Sequence, residues 1–238
     1  MTCSLPTLPL IKRSAAILVV LLSAASQAEA AVIVYDNFGP ANGGNDYDTA
    51  SGWGVQTGPP SFNNFTVGDT FTPSTTGTLS DITVALEFIQ GVNAATVSLR
   101  ADTGGVPGAV LESWTVSSLP PADGTFHTPT TVSDVTNVPL NAGTHYWVVI
   151  AATANSSRLE WMFIDSGIGA RSHAGSIDLG ASWETLLSTQ GAFRVTENLS
   201  TSAVPEPASL ALWSIGVLGI AVAGYLRRPG LFQSEARS

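Results

Sequence analysis

Three histidines, fifteen carboxylates and five tryptophans are the chemistry-bearing residues between Ala31 and Ala203. A Ser-His-Asp nucleophile site needs a serine on a strained turn, and no G-x-S-x-G occurs. Asp165-Ser166-Gly167 and Arg171-Ser172-His173 are the nearest serine contexts, and both read as loops. His127, His145 and His173 lack the i, i+4 spacing that puts two zinc ligands on one helical face. Two acids at glycosidase separation could arise on any acidic surface, so an extracellular hydrolase requires a cleft that couples them.

Calcium fits the composition better. Asp36, Asp46 and Asp48 lie in a Gly/Asn-rich stretch from Asp36 to Asp48, and Asp102 opens an Asp-Thr-Gly-Gly turn. A calcium ion takes six to eight oxygens from carboxylates, amides and carbonyls on an adaptable loop. Aspartate and asparagine are equally the default turn residues, and EF-hand spacing is absent. Trp53 and Trp183, flanked by glycine or serine, are the tryptophans a sugar could stack on, whereas Trp147 and Trp161 sit in apolar runs and read as core. No other cofactor is indicated.

These residues must be positioned by strands. Ile82, Val84, Leu86 and Phe88 alternate with polar or small neighbours, predicting one strand, and Val97 and Leu99 continue the period in the next. Ala101–Gly108 supplies a tight connection rich in glycine with one proline. Further strands are expected at 110–116, 145–151, 158–164 and 192–197, with His145–Ile150 apolar enough to be covered on both faces. No window sustains a 3.6-residue period, so the domain reads as all-β, an antiparallel β-sandwich or jelly roll over residues 31–197.

Four arginines against fifteen carboxylates leave this domain at −11, which repels phosphate backbones and argues against nucleic acid. Cys3 is the only cysteine and lies before the apolar N-terminal run, so the exported chain has no disulfide and no thiol chemistry. Residues 1–30 read as a signal peptide for the Sec machinery, with Lys12-Arg13, the apolar run Ala15–Ala25 and the Ala28-Glu29-Ala30 cleavage site.

At the other end, 198–203 form a polar linker before Val204-Pro205-Glu206-Pro207. Prolines at 205 and 207 hold Val204 and Glu206 out of the helical region, which keeps the peptide extended for a processing enzyme. The uncharged run 210–226 is long enough to span a bilayer as a helix, and Arg227-Arg228 would stay cytoplasmic with a tail at 231–238.

The order of motif, helix and arginines over Val204–Arg228 resembles the PEP-CTERM sorting signal (residues 204–230) of Gram-negative bacteria. The resemblance implies an exosortase as partner, membrane anchoring before processing, and then a cell-surface or extracellular location. Ala95–Gly108 together with Leu140–Val149 is similar to choice-of-anchor β-sandwich ectodomains, which implies display without catalytic residues. The expected function is therefore a non-enzymatic surface or matrix protein associated with exopolysaccharide. The alternatives are a carbohydrate-binding module, calcium-dependent or not, and a hydrolase.

Overall fold

A computed structural model describes residues 31–39, 47–58, 64–154, 156–164 and 171–199. The expected signal peptide, Asp46, the rest of the expected linker beyond Leu199, the expected sorting motif and the apolar run 210–226 lie outside the described residues. Among the described residues there is no helix, and none long and apolar enough to cross a membrane.

The described residues are all-β and their strands pair antiparallel. They are β1 Ala31–Asp36, β2 Gly52–Thr57, β3 Thr66–Phe71, β4 Gly77–Val84, β5 Leu86–Gln90, β6 Ala94–Asp102 and β7 Pro107–Ser117. Then follow β8 Thr130–Ser133, β9 Pro139–Leu140, β10 Tyr146–Ala152, β11 Ser157–Met162, β12 Arg171–Ser176, β13 Glu184–Ser188 and β14 Phe193–Leu199. Six strands form one sheet in the order β13-β12-β3-β10-β6-β7. A second runs β1-β14-β4-β8 with β9 also on β4, and a third runs β2-β11-β5.

The run around His145–Ile150 becomes β10, flanked by β3 and β6 with Tyr146 through Ile150 all buried. Both faces are covered, as its unbroken apolarity requires. Its two faces feed different clusters. Tyr146, Val148 and Ile150 join the main core with Val55, Ile82, Leu159 and Phe193 from the other two sheets. Trp147 and Val149 point the opposite way, where Ala174 and Trp183 cover them. Trp161 enters the main core, so of the two tryptophans read as core, one lies between the sheets and one on the far side of the largest sheet.

The strand expected from Ile82 to Phe88 is two strands. β4 ends at Val84 in the second sheet and β5 starts at Leu86 in the third. Ala85 is the break. Its N–H donates to the Ala192 carbonyl at 3.1 Å and its carbonyl accepts from Met162 N–H at 2.9 Å, so neighbouring residues bond to different sheets. Because the chain changes sheets here, Leu86 and Glu87 are both buried instead of alternating. The expected loop at Arg171–His173 is likewise a strand, β12, held between β3 and β13. The turn after β6 is as expected, with Gly104 at φ 67° and Gly105 at φ 86°. β14 continues through Asn198 and Leu199, two residues into the expected linker.

Candidate functional site

The most buried titratable cluster joins residues far apart in sequence. The β3–β12 register sets His173 directly opposite Asp69, and opposite residues in an antiparallel pair share a face. His173 Nδ1 lies 2.9 Å from Asp69 Oδ1, and both side chains are almost wholly excluded from solvent. Asp69 Oδ2 accepts the Gly191 N–H at 2.7 Å. Burial pushes the Asp69 carboxyl up, and the hydrogen bond and charge of His173 oppose that shift.

The third sheet closes this cluster from above. Trp53 of β2 stacks on the His173 ring with centroids 4.0 Å apart and planes within 11°. The Trp53 Nε1–H donates to the Thr189 carbonyl at 2.8 Å, and Phe163 meets the indole edge-on. Next to it, Tyr35 Oη donates to Gln190 Oε1 at 2.7 Å, and Gln190 Nε2 donates to the Thr70 carbonyl at 2.9 Å. Desolvation pushes the Tyr35 phenol up to about 12. His173 Nε2 is buried and has no hydrogen-bond partner among the described residues. The arrangement therefore has the acid and imidazole of a triad without a hydroxyl on the imidazole. It fastens β3, β12, β2 and the 189–192 segment together.

A second cluster surrounds Glu87. Tyr47 Oη accepts the His127 N–H at 2.9 Å, and its proton faces Glu87 Oε1 at 3.1 Å and the His127 carbonyl at 2.9 Å. Burial raises the Glu87 carboxyl despite the Tyr47 hydrogen bond, and burial pushes Tyr47 up to about 12. Glu87 Oε2 is buried without a partner among the described residues. Glu160 stands directly across from Glu87 in the β5–β11 ladder. Nearby, His127 Nε2 lies 3.1 Å from Asp123 Oδ1, and hydrogen bonds from Thr125 hold Asp123 down at about 2.

Of the candidate calcium ligands, Asp36, Asp48 and Asp102 are described, and each carboxylate accepts from donors near it. Asp36 Oδ2 accepts from Arg194 Nε at 2.8 Å and Asp36 Oδ1 from the Phe38 N–H at 3.0 Å. Asp48 Oδ1 accepts the Ala50 N–H at 2.8 Å. Asp102 lies in the six-stranded sheet, its carboxylate accepting from Trp147 Nε1 at 2.7 Å and from the Gly105 N–H at 3.1 Å. Among the described residues no three His, Cys, Asp or Glu side chains gather as metal ligands. Trp53 is committed to His173. Trp183 is half-buried on the outer face of the six-stranded sheet, packed on the Trp147 cluster, with the Arg100 guanidinium 5.8 Å from its ring centre. Sequence reasoning named Trp53 but missed Asp69, His173 as a buried group, Glu87 and Arg100. The signal for Asp69 was an acid inside the β-branched and aromatic run of β3.

These carboxyls set a pH dependence. Asp69, Glu87 and Glu112 are all raised, each chiefly by burial. As pH rises through the unfolded carboxylate range near about 4, the unfolded chain releases protons that the native state still holds, so stability falls. Asp123 and Asp178, held at about 2, work in reverse and cost stability as pH drops below about 4. Thermal melts should therefore show Tm rising as pH climbs to about 4 and falling as pH goes on up through the carboxylate range. Glu87→Gln should flatten part of that decline. A Tm that climbs from pH 5 to 8 would contradict it. Compared with known proteins, the chain matches no family model and no curated protein.

Proposed function

We propose that the chain is a non-enzymatic exported display protein, a β-sandwich of jelly-roll type handed to an exosortase at Val204–Pro207. One observation carries this reading. The fourteen strands of the described residues all lie between the two processing motifs, Ala28-Glu29-Ala30 and Val204-Pro205-Glu206-Pro207. A sheet domain lying between two cleavage motifs suits release as a unit. The buried acids and histidine knit strands together, which is what a disulfide-free exported domain requires of its polar residues. Its setting in this reading is the cell surface or an exopolysaccharide matrix, reached after a membrane-anchored stage.

The carbohydrate-binding reading rests on a narrower observation. Trp183 and Arg100 present an indole and a guanidinium on the outer face of the six-stranded sheet. Burial lowers the Arg100 pKa, and among the described residues no carboxylate forms an ion pair with it. A carboxylated sugar offers both a ring face and an acid to such a pair.

Expression of the full chain in an exosortase-bearing host tests the main reading by intact mass and fractionation. The expected product ends within Val204–Ser209 and lacks the apolar run, and Glu206→Gln with both flanking prolines changed to alanine should abolish its formation. Wild-type protein that keeps 210–228 in the membrane fraction would sink the sorting step.

A further inference from the structure

Exposed apolar side chains concentrate at one margin of the six-stranded sheet. Ile177 is 73 % exposed, Leu179 58 %, Leu186 49 % and Leu187 72 %, and the last two belong to the edge strand β13. An unprotected edge presents a row of unpaired backbone N–H and C=O groups to any other strand, and soluble proteins blunt such edges with bulges, proline, charge or shortness. The other sheet edges among the described residues are blunted. β7 carries Pro107 and two register shifts against β6. β1 and β5 each lie beside a register shift. β8 and β9 are 4 and 2 residues long. β2 is continued at Gln56 by two backbone bonds to Phe65, at 3.0 and 2.7 Å. Of these devices β13 carries only the charge of Glu184, at its first residue. Its five pairs with β12 run without a shift, and Glu184-Thr185-Leu186-Leu187-Ser188 contains no proline, lysine or arginine.

We infer that β13 pairs antiparallel with β13 of a second copy of this chain, about a two-fold axis through Leu186. A two-fold contact must be self-complementary, and this register is. Leu186 meets Leu186 of the partner, Thr185 meets Leu187, and Glu184 meets Ser188. No like charges stand opposite one another. The β12–β13 ladder sets Arg171 beside Ser188. Across the axis that row therefore reads Arg171, Ser188 and Glu184 of the second copy, opposite charges within reach of two long side chains, and symmetry makes the row twice. The two six-stranded sheets become one continuous sheet, and Leu186 and Leu187 each gain a side-chain neighbour across the seam.

The test uses the full chain carrying Cys3→Ser, which leaves no other thiol. In a residue-centred antiparallel pair the two Cα atoms stand about 4.5–5.5 Å apart, within disulfide range. Leu186→Cys should therefore form an interchain disulfide under mild oxidation, read as a doubled mass on a non-reducing gel. Val110→Cys, 50 % exposed on the opposite edge strand β7, should stay monomeric. Adding Leu187→Lys should cut the Leu186→Cys cross-link at least about tenfold while the melt stays cooperative. Should Leu186→Cys prove poorly folded, Glu184→Cys with Ser188→Cys replaces it. Those two lie about 13 Å apart within one strand, so they can bridge only between chains. A monomeric Leu186→Cys chain that melts normally, equal cross-linking at Val110→Cys, or indifference to Leu187→Lys overturns the pairing.

Discussion

Asp69→Ala should lower stability by about 3–5 kcal/mol, which for a domain of this size is a Tm drop of about 10 °C or more. The reason is what the carboxylate leaves behind. His173 Nδ1 loses its partner at 2.9 Å, and the Gly191 N–H loses its acceptor at 2.7 Å. Neither group can turn to water, since the imidazole is buried against Trp53. Asp69→Asn should cost clearly less, because an amide oxygen can still accept from Gly191 while the amide nitrogen donates to the imidazole. His173→Phe is the complementary probe. It keeps a ring against Trp53 but strands Asp69 Oδ1, so its cost should grow with pH, small where Asp69 is protonated and large where it must ionise in the interior. Urea denaturation of the three variants at pH 5 and pH 7.5 reads all of this. Equal losses for Asp69→Ala and Asp69→Asn, or a pH-independent His173→Phe, would mean the pair is incidental to the fold.

The same pair shows where the sequence becomes illegible. β10 could be read because five consecutive apolar residues need cover on both faces, and that need is local. β6 and the Gly104-Gly105 turn could be read for the same reason, since alternation and positive φ are properties of a few neighbouring residues. β12 could not. Arg171-Ser172-His173-Ala174-Gly175-Ser176 has no β-branched residue, and it is extended because β3 and β13 supply ladders on either side. Its key partner, Asp69, is 104 residues away. Likewise the period-two pattern from Ile82 to Phe88 runs unbroken through Ala85, because alternation records which side of the chain is covered and says nothing of which sheet covers it. The exposed side of the problem is no easier. Trp53 reads as a free indole from its Gly52 and Gly54 neighbours, yet Gly52 is there to make room for β11. A Cβ on Gly52 would stand 2.5 Å from the Trp161 carbonyl oxygen.

Gly191 is another such point. An added Cβ there would lie 2.4 Å from Trp161 Cδ2 and Cε2 and 2.5 Å from Nε1, inside any tolerable contact with a rigid indole. The indole cannot retreat easily. Trp161 is fully buried in the main core, its Nε1–H donates to the Ala192 carbonyl at 3.1 Å, and Phe193 lies 5.8 Å from it, centroid to centroid. Gly191→Ala should therefore cost about 3 kcal/mol, either by displacing the ring or by lifting the Gly191 N–H off Asp69. Trp161→Ala removes the ring itself and should cost about 3–5 kcal/mol through the cavity it opens. The two should not add. With the indole gone the new methyl has space, so the double variant should lie 1–3 kcal/mol, roughly, above the sum of the singles. Additive losses would place the strain of Gly191→Ala elsewhere, in the Gly191–Asp69 bond. In that case Asp69→Ala, and not Trp161→Ala, should be the substitution that absorbs the effect of Gly191→Ala, and the same double-variant cycle run on Asp69 would show it.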